Sequence, residues 1–214
     1  MSQTLPSQQQ LQQQKTALIR MLEQKFNIAD RNIITALQRV NREDFLPEEL
    51  KKYAYIDISL PIDNSNVIIS YSDLLKAVTS INNSSREKAL VIGRNSEFTA
   101  AILSFLYREV YLIESNIESQ ERSEAIIREK YSNITFAFIG NRNHFNVNGP
   151  FDLIFINSSI NEFTTNYLDL LRQNGEAIFA LSDRDGFNIL HKATKTGSSY
   201  NITILGEVLF PSFF

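Results

Sequence analysis

The chain has 214 residues, 43% hydrophobic and 21% charged, with a formal net charge of −3 at pH 7 and a pI near 5.5. That length supports one sizeable core, and the acidic balance argues against a broad electrostatic footprint for nucleic acid or anionic lipid. Without cysteine there is no disulfide framework, thiolate nucleophile or cysteine-based zinc site, and the two histidines, His144 and His191, cannot form a cluster. No metal site is expected, and each histidine reads as a surface or satisfied side chain.

The N-terminal MSQTLPSQQQLQQQK lacks the basic-then-apolar plan of a signal peptide, and no apolar run could span a bilayer. A cytoplasmic setting is the expectation. The glutamine-rich residues 7–14 run into a helix over about 9–26, where Leu11, Leu18, Met21, Leu22, Lys25 and Phe26 recur at helical spacing. That face either packs on its own domain or docks a second subunit. Asp30 caps a second helix carrying Ile33, Ile34, Leu37 and Val40, and Pro47 opens the short helical piece EELKKYAY. From residue 88, short apolar runs alternate with helical segments, the pattern of parallel βαβ units. Strands are expected at Lys88–Ile92, Glu109–Ile113, Ile134–Ile139, Phe151–Ile156 and Glu176–Leu181, and helices at 96–107, 116–131 and 162–173. Phe187–Ala193 and Tyr200–Val208 flank the turn Lys195–Ser199 and read as two antiparallel strands. The expected class is α/β: a Rossmann-like, doubly wound, mostly parallel sheet with antiparallel C-terminal strands and an N-terminal helical extension. Residues 1–80 form the extension and substrate-side loop, packed on the same core, and residues 81–214 form that core.

Such a sheet binds ligands at the carboxyl ends of its strands. At LVIGRNSEF, Leu90–Phe98, an apolar strand turns into a helix. Glycines in such a turn admit close backbone approach to a cofactor and supply positive φ. Gly93 holds the first slot, while Asn95 and Glu97 hold the other two. Glu114, ending the strand VYLIE, is placed to accept from ribose hydroxyls, although an acid opening a helix also serves the helix dipole. Asn141, after the third strand, offers an amide oxygen to an adenine amino group; asparagine also favours turns.

With REDFLPEELKKYAYIDISLPI, Arg42–Ile62, followed by this sheet, the chain resembles the protein-L-isoaspartate O-methyltransferase family of class I S-adenosylmethionine-dependent methyltransferases. The family's upstream helix is similar to Met21–Phe26, its F-V-P-E/D motif to Phe45–Glu48 and its A-Y-x-D-x-x-L-P-I run to Ala54–Ile62. Its P-Y/F-D-x-I segment is similar to Pro150–Ile154, its L-K-P-G-G turn to Leu171–Glu176, and its closing V-x-F-V-P-L strand to EVLFPSF. The resemblance implies S-adenosylmethionine as cofactor, isoaspartyl-containing peptides or proteins as partners, and methyl transfer to the L-isoaspartyl carboxylate, a repair reaction. That carboxylate is ionised at pH 7, so no general base is needed and catalysis is mainly alignment with water excluded.

The family's G-x-G-Q-T-I-S loop corresponds to Asp63–Ser70 after a one-residue insertion, with both glycines absent. Ser70 and Asp57, the acid of the A-Y-x-D run, are the candidate catalytic residues; Ser70 reads equally well as a helix N-cap. Gly93, Asn95, Ser96, Phe98, Glu114 and Asn141 are the candidate cofactor-binding residues. Asn95 holds positive φ at modest cost. Glu97 is expected to bring its carboxylate near the cofactor's own. Two such charges about 4 Å apart at an effective dielectric near 20 repel by roughly 4 kcal/mol, about a thousandfold in affinity. Relief would come from pointing to water, pairing with Arg94 or taking up the cofactor's ammonium. Changes in both loops favour a second reading, a catalytically inactive methyltransferase-fold protein used for binding or assembly. A nicotinamide oxidoreductase lacks a supporting Tyr-x-x-x-Lys or Cys-His arrangement, and Asn157-Ser158-Ser159 stands where a nucleic-acid methyltransferase would carry Asn/Asp-Pro-Pro-Tyr/Phe. No nucleic-acid or membrane partner is expected, and monomer and homodimer stay open. Asn148-Gly149 and Asn174-Gly175 are themselves prone to succinimide formation.

Overall fold

The computed structural model describes residues 6–62, 67–115, 117–137, 139–140, 144–145, 147, 149–163, 166–182 and 187–212. Helix α1 (Gln8–Phe26) opens with a capping box, in which Ser7 and Gln10 each accept the other's backbone N–H. It buries Leu11, Leu18, Ile19 and Leu22 in the same hydrophobic cluster as the sheet, so it packs on its own domain, and Met21 stays exposed. Helix α2 (Arg31–Arg39) is capped by Asp30, which accepts from the Asn32 N–H at 2.9 Å. Two 3-10 turns follow, Arg42–Phe45 and Glu48–Tyr53. The antiparallel pair β1 (Leu60–Pro61) and β2 (Val67–Ile68) then leads into α3 (Tyr71–Val78).

The remaining elements are β3 (Lys88–Gly93), α4 (Glu97–Leu103), β4 (Glu109–Glu114), α5 (Ile117–Lys130), β5 (Ile134–Phe136), β6 (Ile139–Gly140), β7 (His144–Phe145), β8 (Phe151–Ile160), α6 (Asn166–Asp169), β9 (Leu171–Ser182), β10 (Asn188–Thr196) and β11 (Ser199–Val208). Seven strands form one sheet in the order β11-β10-β9-β8-β3-β4-β5. The five from β9 to β5 run parallel, and β10 and β11 close it antiparallel, turning at Gly197. Both faces of the central strands are covered. Val91 and Phe155 face the cluster shared with the N-terminal helices, while Leu90, Ile92, Ile154 and Ile156 face a second cluster. Burial on both sides is why these strands read as unbroken apolar runs. Among the described residues no helix is long and apolar enough to cross a membrane.

Two elements depart most from expectation, beyond shifted ends such as Ile160 for β8, Leu171 for β9 and Leu103 for α4. The helix expected over 162–173 contracts to α6, because Leu171 already pairs with Phe151 in the sheet and Phe163 stacks on Phe179 at 4.0 Å. Its apolar groups therefore extend and cover the sheet instead of forming a helix face. The third strand stops at Phe136, and Ile139–Gly140 pairs with β7 in a separate ladder.

Candidate functional site

The carboxyl edge of β3 is tightly built. Gly93 has φ +151°, and a Cβ there would lie 2.9 Å from Ser158 Oγ and 3.0 Å from the Asn157 carbonyl carbon. Only glycine fits between the β3 turn and β8. The end of β8 then clamps the turn. Asn157 Nδ2 donates to the Arg94 carbonyl at 3.1 Å and its Oδ1 accepts from Thr99 Oγ1 at 2.7 Å, while Ser158 Oγ accepts from the Arg94 N–H at 3.3 Å. Sequence reasoning marked Asn157-Ser158-Ser159 only as a strand end; its signal was a polar triplet terminating an apolar run. Asn95 takes the left-handed conformation, φ 47°, so the turn keeps its shape without a second glycine.

Glu114 closes β4 beside this turn, and one of its carboxylate oxygens accepts both the N–H and the Oγ of Ser96, each at 2.9 Å. Ser115 N–H donates to the Gly93 carbonyl at 2.9 Å. Acid and turn are thus one hydrogen-bonded unit.

Glu97 corrects the expectation made for it. Its side chain, 2% exposed, turns toward α5, where Ser119 Oγ donates to one carboxylate oxygen at 3.0 Å and Ser123 Oγ to the other at 2.8 Å. Glu97 begins α4, and Ser119 and Ser123, four residues apart, present two hydroxyls from one face of α5. A buried carboxylate needs such partners. The relief routes expected from sequence, water, Arg94 or the cofactor's ammonium, are not the ones used. The readable hint was the serine pair at helical spacing.

Toward the N-terminal segment, Phe98 is buried with its ring 5.4 Å from Tyr71 and 6.1 Å from Phe45. Arg42 was quoted only as part of a motif, yet it is fully buried, with its guanidinium 5.0 Å from the Tyr71 ring and 5.6 Å from the Phe98 ring. It donates to the carbonyls of Ile58, Ile68 and Ile69 at 3.1, 3.2 and 2.8 Å. Burial pushes its pKa down, opposed by the nearby Tyr71, Asp57 and Tyr55. Ser70 caps α3, accepting from the Asp73 N–H at 3.0 Å. Burial also raises the pKa of Asp73, against hydrogen bonds from Ser70 and the Leu209 N–H. Asp57 accepts from the Ser72 N–H at 2.8 Å and from the Ser72 hydroxyl, with Lys25 Nζ 3.6 Å away. The two candidate catalytic residues therefore meet at the head of α3, and Tyr71 sets that head against α4 through Phe98. Asn141 and residues 63–66 lie outside the described residues. His191 is satisfied, with Nδ1 2.7 Å from the Ile189 carbonyl and its ring stacked on Phe179.

A nucleotide-type cofactor fits these residues. The turn is closed by glycine where space is shortest, Glu97 is directed to α5, and the Asn95 amide, 2% exposed, has no hydrogen-bond partner at either polar atom. Sheet order, strand-to-helix turn and terminal acid together define a Rossmann-like methyltransferase fold. The family model of protein-L-isoaspartate(D-aspartate) O-methyltransferase matches residues 13–212. The chain belongs to that family. Relatives named protein-L-isoaspartate O-methyltransferase include one from Ignicoccus hospitalis, 28% identical over 94% of this chain and 97% of that one. Another, from Myxococcus xanthus, is 29% identical over 87% and 90%. Among solved structures, a Plasmodium falciparum chain described as a protein-L-isoaspartate O-methyltransferase in complex with S-adenosyl-L-homocysteine superposes with TM-score 0.75 at 21% identity, covering 92% of this chain and 97% of that one. At that identity the likeness speaks for the fold. Neither the described residues nor the comparisons favour the inactive alternative.

Proposed function

We propose that this protein transfers the methyl group of S-adenosylmethionine to the carboxylate of L-isoaspartyl residues in damaged proteins. The observation that carries the reading is Glu114 at the end of β4, locked through Ser96 to the Gly93 turn in a chain matched by the family model over 13–212. When bound, S-adenosylmethionine supplies an electrophilic methyl group on a positively charged sulfur. Glu114 accepts from the ribose hydroxyls, and Ser96 fixes the carboxylate for that task. Gly93 and Asn95 shape the turn, Phe98 backs it, and Asn141 serves the adenine side. The substrate carboxylate arrives ionised, so the residues around it orient it and exclude water. We assign that work to Ser70 and Asp57 on the substrate-side segment 1–80; the contact of Tyr71 with Phe98, 5.4 Å between rings, supports this.

The test is incubation with methyl-labelled S-adenosylmethionine and a peptide containing one isoaspartyl residue, beside its aspartyl isomer. Base-labile label on the isoaspartyl peptide alone is the expected result. No transfer to either peptide overturns the reading.

A further inference from the structure

We propose that Asn95 is a specificity-determining residue for the amino-acid end of the cofactor, which its side-chain amide reads directly. The proposal rests on the cofactor reading above. Asn95 is 2% exposed, and both Nδ2 and Oδ1 lack hydrogen-bond partners; one residue earlier, Arg94 Nε is also buried without one. Buried polar groups in folded proteins are nearly all paired, and an orphan points to an absent partner. The rest of the turn is engaged. The Arg94 N–H and carbonyl are held by Ser158 and Asn157, Ser96 by Glu114, and Glu97 by Ser119 and Ser123. Within the turn, the atoms lacking a hydrogen-bond partner are thus those of Arg94 and Asn95 at its tip; elsewhere among the described residues they are single atoms of charged groups, at Arg42, Arg122, Asp152 and Arg172.

Sheet order gives the direction. In the sequence β8-β3-β4-β5, Glu114 ends β4 and takes the ribose, with adenine toward β5. The amino-acid end therefore falls over β3, where Asn95 stands. That end carries an ammonium, which donates, and a carboxylate, which accepts. Asn95 Oδ1 and Nδ2 are an acceptor and a donor, and the neighbouring Arg94 Nε is a further unpartnered donor. A turn that ordinarily offers backbone groups between glycines here adds a side chain, because asparagine tolerates φ 47°.

Asn95→Gly tests this, since glycine adopts the left-handed conformation freely. Wild type and variant are titrated calorimetrically with S-adenosylhomocysteine and with 5′-methylthioadenosine, which keeps the nucleoside and sulfur but lacks the amino-acid end. Both are also melted without ligand. The expected result is S-adenosylhomocysteine binding weakened by about ten- to a hundredfold, methylthioadenosine binding unchanged, and an unliganded melting temperature that does not fall. Unchanged or tighter S-adenosylhomocysteine binding overturns the proposal. Equal weakening of both ligands, or a lowered melting temperature with parallel losses, also overturns it by making the amide a structural part. If wild type binds neither ligand, the cofactor reading itself falls and takes the proposal with it.

Discussion

Glu97 occupies a slot where the family pattern has glycine, and its burial against two serine hydroxyls changes what the substitution means. Had the carboxylate faced the cofactor, Glu97→Ala would tighten binding by about a thousandfold. With the carboxylate accepting from Ser119 at 3.0 Å and Ser123 at 2.8 Å, the same change removes two buried hydrogen bonds and the packing of the side chain, while Ser123 keeps its bond to the Ser119 carbonyl at 2.8 Å. We expect Glu97→Ala to destabilise the fold by about 1–3 kcal/mol in urea unfolding while changing S-adenosylhomocysteine affinity little. A large gain in affinity at unchanged stability would contradict this. The case marks what a sequence conveys at this scale. Gly93 was legible because its role is to have no side chain. The direction taken by Glu97 depended on α5, a different stretch of chain, and only the Ser119–Ser123 spacing hinted at it.

The head of α3, to which we assign the substrate-side chemistry, is held by a few hydrogen bonds, so capping and catalysis must be separated there. Ser70 accepts from the Asp73 N–H at 3.0 Å, and replacing an N-cap serine by alanine costs about 1 kcal/mol, whereas asparagine caps equally well. Ser70→Ala should therefore lower both melting temperature and kcat. Ser70→Asn should hold the melting temperature and still lower kcat, if the hydroxyl itself orients the substrate. Equal kcat in wild type and Ser70→Asn would leave Ser70 as a cap alone. Arg42 holds the same region from below. Its donations to Ile58, Ile68 and Ile69 use the spread of a guanidinium, which a lysine ammonium cannot match. Both Arg42→Lys and Arg42→Met should destabilise by about 3 kcal/mol or more, read as a lower urea midpoint, with lysine giving no rescue. The strands of this molecule were legible as apolar runs, and the α1 and α2 helices as periodic faces with caps. The expected helix at 162–173 failed because Phe163 and Leu171 serve the sheet through Phe179 and Phe151, contacts made across the chain that local periodicity does not encode.

Across the molecule the two ends of the sheet differ in how their buried polar groups are partnered. At the amino end, the buried carboxylates face cations: Asp152 lies 2.9 Å from the half-buried Arg172 and Glu176 3.2 Å from Lys192. At the carboxyl end the Asn95 amide stands without a partner, the observation on which its proposed binding role rests. The larger hydrophobic cluster joins both the N-terminal helices and the sheet, and it contains Tyr55, Tyr71, Tyr107 and Tyr131. Burial raises the pKa of all four, Tyr107 to about 12 and the others further; the Tyr55 hydroxyl is also bonded to Glu43. In the unfolded chain these phenols ionise near pH 10, while in the fold they keep their protons. Below that pH both states are protonated and the stability they allow is fully present. Above it the unfolded state gains by losing protons, and each tyrosine removes about 1.4 kcal/mol per pH unit until its folded pKa is reached. The protein should therefore lose stability steeply between pH 10 and 12, seen as a falling urea midpoint. Tyr55, Tyr71, Tyr107 and Tyr131 should add their tyrosinate absorbance only as the fold is lost. A single smooth titration near pH 10 with the fold intact would mean that the cluster is open to water and that the helical extension is not sealed onto the sheet.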